Sequence, residues 1–368
     1  SKHVIGQKNK YEQLFDAFDA LPAHEPYNET TFKQQLTDAA LVKHFADEKK
    51  NLLELITKAM RAYYAEKTID HQISDLLLDE EFYRQKRLNH LRKKTIDKAK
   101  KLAQQNDKMP ALLTLLEREL SMQIEWQQHE LKQIAANLNT EEQQALIRLQ
   151  TLASLRYFSN RLFIQVRIST VQSSPQLQQE STRIISEPIV KNHTTGSSFN
   201  ADYHYYRIFA MHHRIHRNMA QHERYAQYIY ELFELHYPQQ KLSNPAGYKI
   251  ALFNYLNACF AAGNLKPFAL LLQKARQIPA TNRDEEGEDW QNLIHLELIY
   301  LSNTGQLEQA TALSTQIEKG LALYRHKVNN ARRLALYYNM AAAYFVSANS
   351  SSALDYYNQI VLDKTDAR

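Results

Sequence analysis

Residues 336–360 read LYYNMAAAYFVSANSSSALDYYNQI. Tyr337, Met340, Ala341 and Tyr344 recur at steps of three and four, the spacing of one helical face. A polar break follows at Ser347-Ala348-Asn349, after which Ala353, Tyr357 and Ile360 resume the same step. Two helices joined by so short a break lie antiparallel. Small residues at Ala341 and Ala353 let the two axes approach, and Tyr344 and Tyr357 are expected to fill the space beside them. Breaks of the same kind fall at Ala220, Gly263 and Gly305, so that successive breaks are 43, 42 and 43 residues apart. A fixed period of this size, with two helices per unit, is the mark of an α-solenoid. One hairpin cannot bury its apolar face alone, so neighbours must stack.

Composition extends this reading to the whole chain. Only 7 of the 368 residues are glycine, against a usual level of roughly 7%. Sheets and phosphate-binding loops use glycine in hairpins, bulges and turns, so an all-α fold is expected throughout. The glycines lie at 6, 196, 247, 263, 287, 305 and 320. No two are close enough for a dinucleotide fingerprint or a P-loop, which excludes a Gly-rich phosphate cradle. The net charge of +5 is mild, and a nucleic-acid partner would need a concentrated patch. Cys259 is the only cysteine, so neither an intrachain disulfide nor a cysteine-built zinc site is available. The start shows no secretory signal, and the uncharged stretch 334–354 is too interrupted to span a bilayer. A cytoplasmic protein without a membrane partner is therefore expected.

Upstream of residue 172 helical periodicity predicts helices near 8–21, 28–45, 47–67, 69–84 and 88–105, and a sixth that starts at Pro110 and carries Leu112, Leu113, Leu116 and Leu120. Thr140 with Gln143 reads as a capping box that opens a long helix to about 170. Residues 172–199 bring prolines, a glycine and many Ser and Thr, with room for a short helix near 176–186. The domain reading is thus an N-terminal helical array over 1–171, an irregular connection over 172–199, and repeats over 200–368.

The last unit is similar to a tetratricopeptide repeat in Tyr337, Met340, Ala341, Tyr344, Ala353, Tyr357 and Ile360. The unit around Gly305 resembles it through Leu301, Leu307, Ala310 and Ile317, and the one around Gly263 through Leu252, Leu256, Leu265, Leu272 and Ala275. The whole chain also resembles a set of bacterial helical-repeat proteins without assigned activity. The tetratricopeptide resemblance implies a noncatalytic protein- or peptide-binding scaffold that uses the concave face built by the first helix of each hairpin. On this chain that face carries Arg207, Arg214, Asn257, His295 and Tyr338. The chaperone-tail clamp known in that superfamily does not transfer. Its positions hold Ala210, Phe253, His295 and Tyr338, and only Asn254 and Asn257 match.

No residue pattern supports catalysis, a cofactor or a metal. His212 and His216 stand one helical turn apart and offer two metal ligands, but no third ligand is assignable, and a polar helix face accounts for them. The acidic stretch Asp284-Glu285-Glu286-Gly287-Glu288-Asp289 lacks the alternation of a calcium loop and reads as a hydrated connector. The alternative function lies in the basic region 84–108, where Lys93, Lys94, Lys98 and Lys101 share one face. Such a stripe suits a regulator that contacts nucleic-acid phosphates.

Overall fold

The computed structural model describes residues 9–21, 27–36, 38–65, 68–126, 130–168, 174–196, 198–325 and 327–365. Helix accounts for 84% of them, and no strand occurs among the described residues. Their packing divides the chain into two units, 1–139 and 140–368.

The first unit opens with α1 (Lys10–Asp19), where Asn9 and Glu12 close a reciprocal capping box. Asn28 caps α2 (Glu29–Gln35) by accepting from the backbone N–H groups of Thr30 and Thr31. The helix expected to continue from there to residue 45 is interrupted, because Leu36 swings to an extended conformation. The chain resumes as α3 (Ala39–Lys43) and α4 (Phe45–Ala65). Leu14, Phe32, Phe45 and Leu52 form the local core, with Phe18 stacked on Phe32 at 4.3 Å. Next come α5 (Ile69–Gln85), α6 (Asn89–Gln105) and α7 (Met109–Glu125), each packed on the one before. The division between units falls inside α8 (Leu131–Ile168), which starts well before the expected cap at Thr140. The apolar step through Ile134, Leu138 and Ala145 continues across that residue, and helix continues with it.

The second unit continues with α9 (Pro175–Ser186), α10 (Pro188–Lys191), α11 (Phe199–Ile215) and α12 (Met219–Glu231), which runs into a π-helical turn at Leu232–His236. Then follow α13 (Gln239–Ser243), α14 (Pro245–Ala262), α15 (Phe268–Arg276) and α16 (Arg283–Asn303). The last four are α17 (Leu307–Ala312), α18 (Ser314–Leu323), α19 (Asn330–Val346) and α20 (Ser350–Thr365). Packing proceeds by neighbours. Helix α14 lies on α12, α16 on both α14 and α15, and α19 on both α16 and α17.

One turn recurs six times. At Arg87, Asp107, Arg217, Gly263, Gly305 and Ala348 the backbone adopts positive φ, between 56° and 75°. In each case the next N–H reaches a carbonyl five residues back, as Leu88 does to Tyr83 and Asn349 to Tyr344. This is the Schellman closure, which satisfies carbonyls left over at a helix end and reverses the chain within three residues. In the second unit the first such turn lies at Arg217. Ala220, expected to mark it, already belongs to α12. A non-glycine residue occupies the left-handed site there, so composition carried no sign of it.

Two further expectations are corrected. The acidic stretch is no connector: it forms the first turns of α16, where Glu285 and Asp289 each hold Lys249 at 2.6 Å. Lys249 is 5% exposed, so this triad is internal to the packing of α14 and α16. In the last hairpin Tyr356, rather than Tyr357, fills the interior, stacking on Tyr344 and donating to Glu318. Ala341 and Ala353 are buried as expected. Within 172–199, α9 and α10 bury Leu177, Ile184 and Val190 against Leu155 and Leu162 of α8 and Ile208 of α11. The segment between α10 and α11 is pinned by buried Asp202, which accepts from His193, the Gly196 N–H and the Tyr237 hydroxyl. No helix among the described residues is long and apolar enough to cross a membrane.

Candidate binding face

The five residues expected on one face lie on α11, α14, α16 and α19, and each is held differently. Arg207 of α11 is half-buried. It donates from Nη1 to Asn160 Oδ1 of α8 at 3.2 Å, and its guanidinium carbon sits 4.3 Å from the centre of the Phe163 ring. Arg214, near the end of the same helix, is partly buried, and its charge reaches His222. Asn257 of α14 turns its amide back to the Phe253 carbonyl at 2.7 Å. His295 of α16 has its Nδ1 buried without a hydrogen-bond partner. Tyr338 of α19 is 59% exposed and meets Tyr357 of α20 edge-on. Arg207, Asn257, His295 and Tyr338 thus engage separate neighbours.

Around two of the five, the structure adds partners that periodicity did not single out. His295 lies beside Arg332 of α19, which donates to Asn292 Oδ1 of α16 at 3.1 Å. Burial first, and the Arg332 charge second, push the His295 imidazole down to about 4. The same arrangement recurs at the other end of the unit. His204 of α11 also has Nδ1 buried and unpartnered. Burial, then the charges of Arg207 and Arg156, push it down to about 4. In both places an arginine hydrogen-bonds an asparagine on a preceding helix beside a half-buried histidine whose Nδ1 is out of solvent. In the sequence His204 is merely the first of a histidine-rich run with His212, His213, His216 and His222. Arg156, Asn160, Asn292 and Arg332 are ordinary polar residues on helices, and only packing brings them to these positions.

The histidine-rich run itself is tied up locally. His212 and His216 both approach Ser181 Oγ of α9, at 3.2 and 3.1 Å, and His213 stacks on Tyr225. Burial is the largest influence on His212, with the neighbouring imidazoles next, and together they push it down to about 4. Among the described residues no three His, Cys, Asp or Glu side chains converge as a metal site. Cys259 is buried and its thiol is pushed up to about 12, chiefly by burial.

The basic region of the first unit is mostly spoken for. Arg92 is 1% exposed and bridges Glu80 at 2.7 Å and Glu125 at 2.6 Å, while Arg118 also pairs with Glu80. Lys93 and Lys100 converge on Glu119, at 3.3 and 2.6 Å. Lys108 meets Asp70, and Arg84 meets Glu81. Of the four-lysine stripe, Lys94, Lys98 and Lys101 stay exposed, whereas Lys93 belongs to the Glu119 pair.

Neither a protein-family model nor a curated protein matches the chain.

Proposed function

We propose that the second unit is a tetratricopeptide-like solenoid that binds a protein or peptide segment without catalysis, on the layer built by α11, α14, α16 and α19. The observation that carries this reading is the repeated packing step. Helices α16 and α19 each lie on both helices of the preceding pair, and every pair is closed by the same left-handed turn. Such stacking buries one side of each first helix and leaves a continuous side of the layer open. On this reading the open side carries Arg207, Arg214 and Tyr338, and arginine and tyrosine are side chains that commonly anchor partners.

The test is selection of random displayed peptides on the full chain, followed by hydrogen exchange of the complex. A selected peptide should slow exchange in α11, α14, α16 and α19. Protection confined to α12, α15 and α20, or failure to select any peptide, would end the reading. The alternative, a nucleic-acid regulator acting through 84–108, rests on Lys94, Lys98 and Lys101. It is the weaker proposal, because Arg84, Arg92, Lys93, Lys100 and Lys108 of that region are paired with acids within the unit.

A further inference from the structure

Tyr344 of α19 and Tyr356 of α20 pack toward the preceding helices, in one cluster with Leu298 and Ile317. The residues that follow them, Phe345 and Tyr357, point about 100° further round their helices. There a second apolar stripe runs along each helix. Tyr338 and Phe345 of α19 are 59% and 65% exposed, and Leu354 and Val361 of α20 are 59% and 62% exposed. The rings of Tyr338 and Tyr357 meet across the two helices at 6.4 Å, so the stripes form one surface.

The repeat step says what such a surface does elsewhere in the unit. The turns at Gly305 and Ala348 are 43 residues apart, and 43 residues before Leu354 and Val361 stand Thr311 and Glu318. The Thr311 carbonyl accepts from the Tyr344 hydroxyl at 3.3 Å, and Glu318 accepts from the Tyr356 hydroxyl at 2.9 Å. Those two positions therefore carry the following pair of helices. At Leu354 and Val361 the same positions are apolar and open to water, whereas a repeat that faces solvent carries a polar outer side.

A two-fold interface sets one patch against its own copy, so the patch must suit itself. This one does. None of its five side chains is charged, and residues 334–354 contain no charged residue, so no like charges meet across the axis. Head-to-tail stacking is closed off, because it needs the matching side of α11. There α8 and α9 already cover Ile208 with Leu155, Leu162 and Ile184. Two helices about 25 Å long and about 10 Å apart offer about 500 Å² per copy. Two copies would bury about 1,000 Å², the lower limit of a specific interface.

We propose that this side of α19 and α20 is a dimer interface, on which a second copy of the chain stacks about a two-fold axis. The proposal goes beyond the peptide-binding reading and can fail separately from it, since Leu354 and Val361 lie on α20, outside the layer which that reading uses.

Sedimentation equilibrium of the full chain across the micromolar range should show monomer and dimer in exchange. Leu354→Glu/Val361→Glu sets like charges against each other across the axis and should weaken the dimer about tenfold or more. At a concentration where the parent is monomeric the variant should melt with it, because both side chains are exposed. Leu354→Lys/Val361→Lys should weaken the dimer alike, and an equimolar mixture of the two variants should recover it. The proposal is overturned if the parent stays monomeric throughout, if the glutamate variant dimerises as the parent does, or if larger species grow with concentration. A monomeric parent in which an apolar helical peptide slows exchange in α20 would assign the surface to another protein and overturn it as well. Protection of α11, α14, α16 and α19 by a displayed peptide would then leave the peptide-binding reading standing and remove only the dimer.

Discussion

The two units treat positive charge in opposite ways. In the first, Arg92 is sealed between Glu80 and Glu125, and Lys93 and Lys100 close on Glu119, so a basic segment is consumed as structure. In the second, Arg167 and Arg207 both lie over the ring of Phe163, and among the described residues no carboxylate pairs with either. The interior of the second unit is instead aromatic, from Phe199 on Phe233 through Phe268 on Tyr300 to Tyr344 on Tyr356. The count of cations in a segment says little about binding; what matters is whether each cation already has its acid.

The largest expected effect comes from breaking the satisfied charge. Arg92→Ala would leave Glu80 buried with only Arg118 beside it, and loss of one partner of a buried pair costs about 3–5 kcal/mol. Urea unfolding followed by exchange in α5, α6 and α7 should show this loss, whereas Arg156→Gln in the second unit should cost nothing measurable. Equal losses for the two variants would erase the contrast between the units.

The next effect lies in the second unit. Gly320 of α18 lies so close to Trp290 that a Cβ there would fall 1.9 Å from the indole carbon Cζ2. Gly320→Ala must displace the indole or the helix, and overpacking of this kind costs about 1–3 kcal/mol. Thermal melting should register it, with α16 and α18 gaining exchange. An unchanged melt would mean that Trp290 has room to move.

How much of this was legible in the sequence differs by scale. The all-α class followed from glycine scarcity and unbroken periodicity, and Gly263 and Gly305 marked their turns. Arg217 hid its turn, because the left-handed site there is filled by a residue whose type gives no hint. Tyr356 and Tyr357 both fit an aromatic position of the final hairpin, and only packing against Glu318 and Tyr344 separates them. The candidate face was visible one residue at a time, through Arg207 and His295. Their partners Asn160 and Arg332 come from other helices, and a periodicity confined to one helix cannot pair residues that lie far apart in the chain.

Acid should weaken the second unit through His204 and His295. Each is pushed down to about 4 in the folded chain, against an ordinary value near 6.5. Above pH 6.5 both states hold neutral imidazole, and the contribution of burial is fully present. Between 6.5 and 4 the unfolded chain takes up a proton that the folded chain refuses, so unfolding becomes easier as pH falls. Below 4 both states are protonated and the loss is complete. About 1–2 kcal/mol per histidine is expected, since both side chains are only partly shielded. Melting of His204→Gln/His295→Gln from pH 7 to pH 4 should show a flatter decline than the parent. Parallel curves would mean that both imidazoles titrate normally.

The smallest effect tests the turn that both units share. Ala348 holds φ at 60°, the conformation that Gly263 and Gly305 adopt at the matching turns. For an L-residue with a Cβ this region costs about 1–2 kcal/mol, and glycine escapes that cost while losing some entropy on folding. Ala348→Gly should therefore stabilise the final hairpin by about 0.5–1 kcal/mol. Exchange in α19 and α20 should slow, with α11 and α12 unchanged, because in a stack each hairpin contacts only its neighbours. The reverse change, Gly305→Ala, should speed exchange on both sides of its turn, since α16 and α17 each carry the next pair. If Ala348→Gly destabilises instead, the closure at Asn349 N–H to the Tyr344 carbonyl does not govern that end of the array.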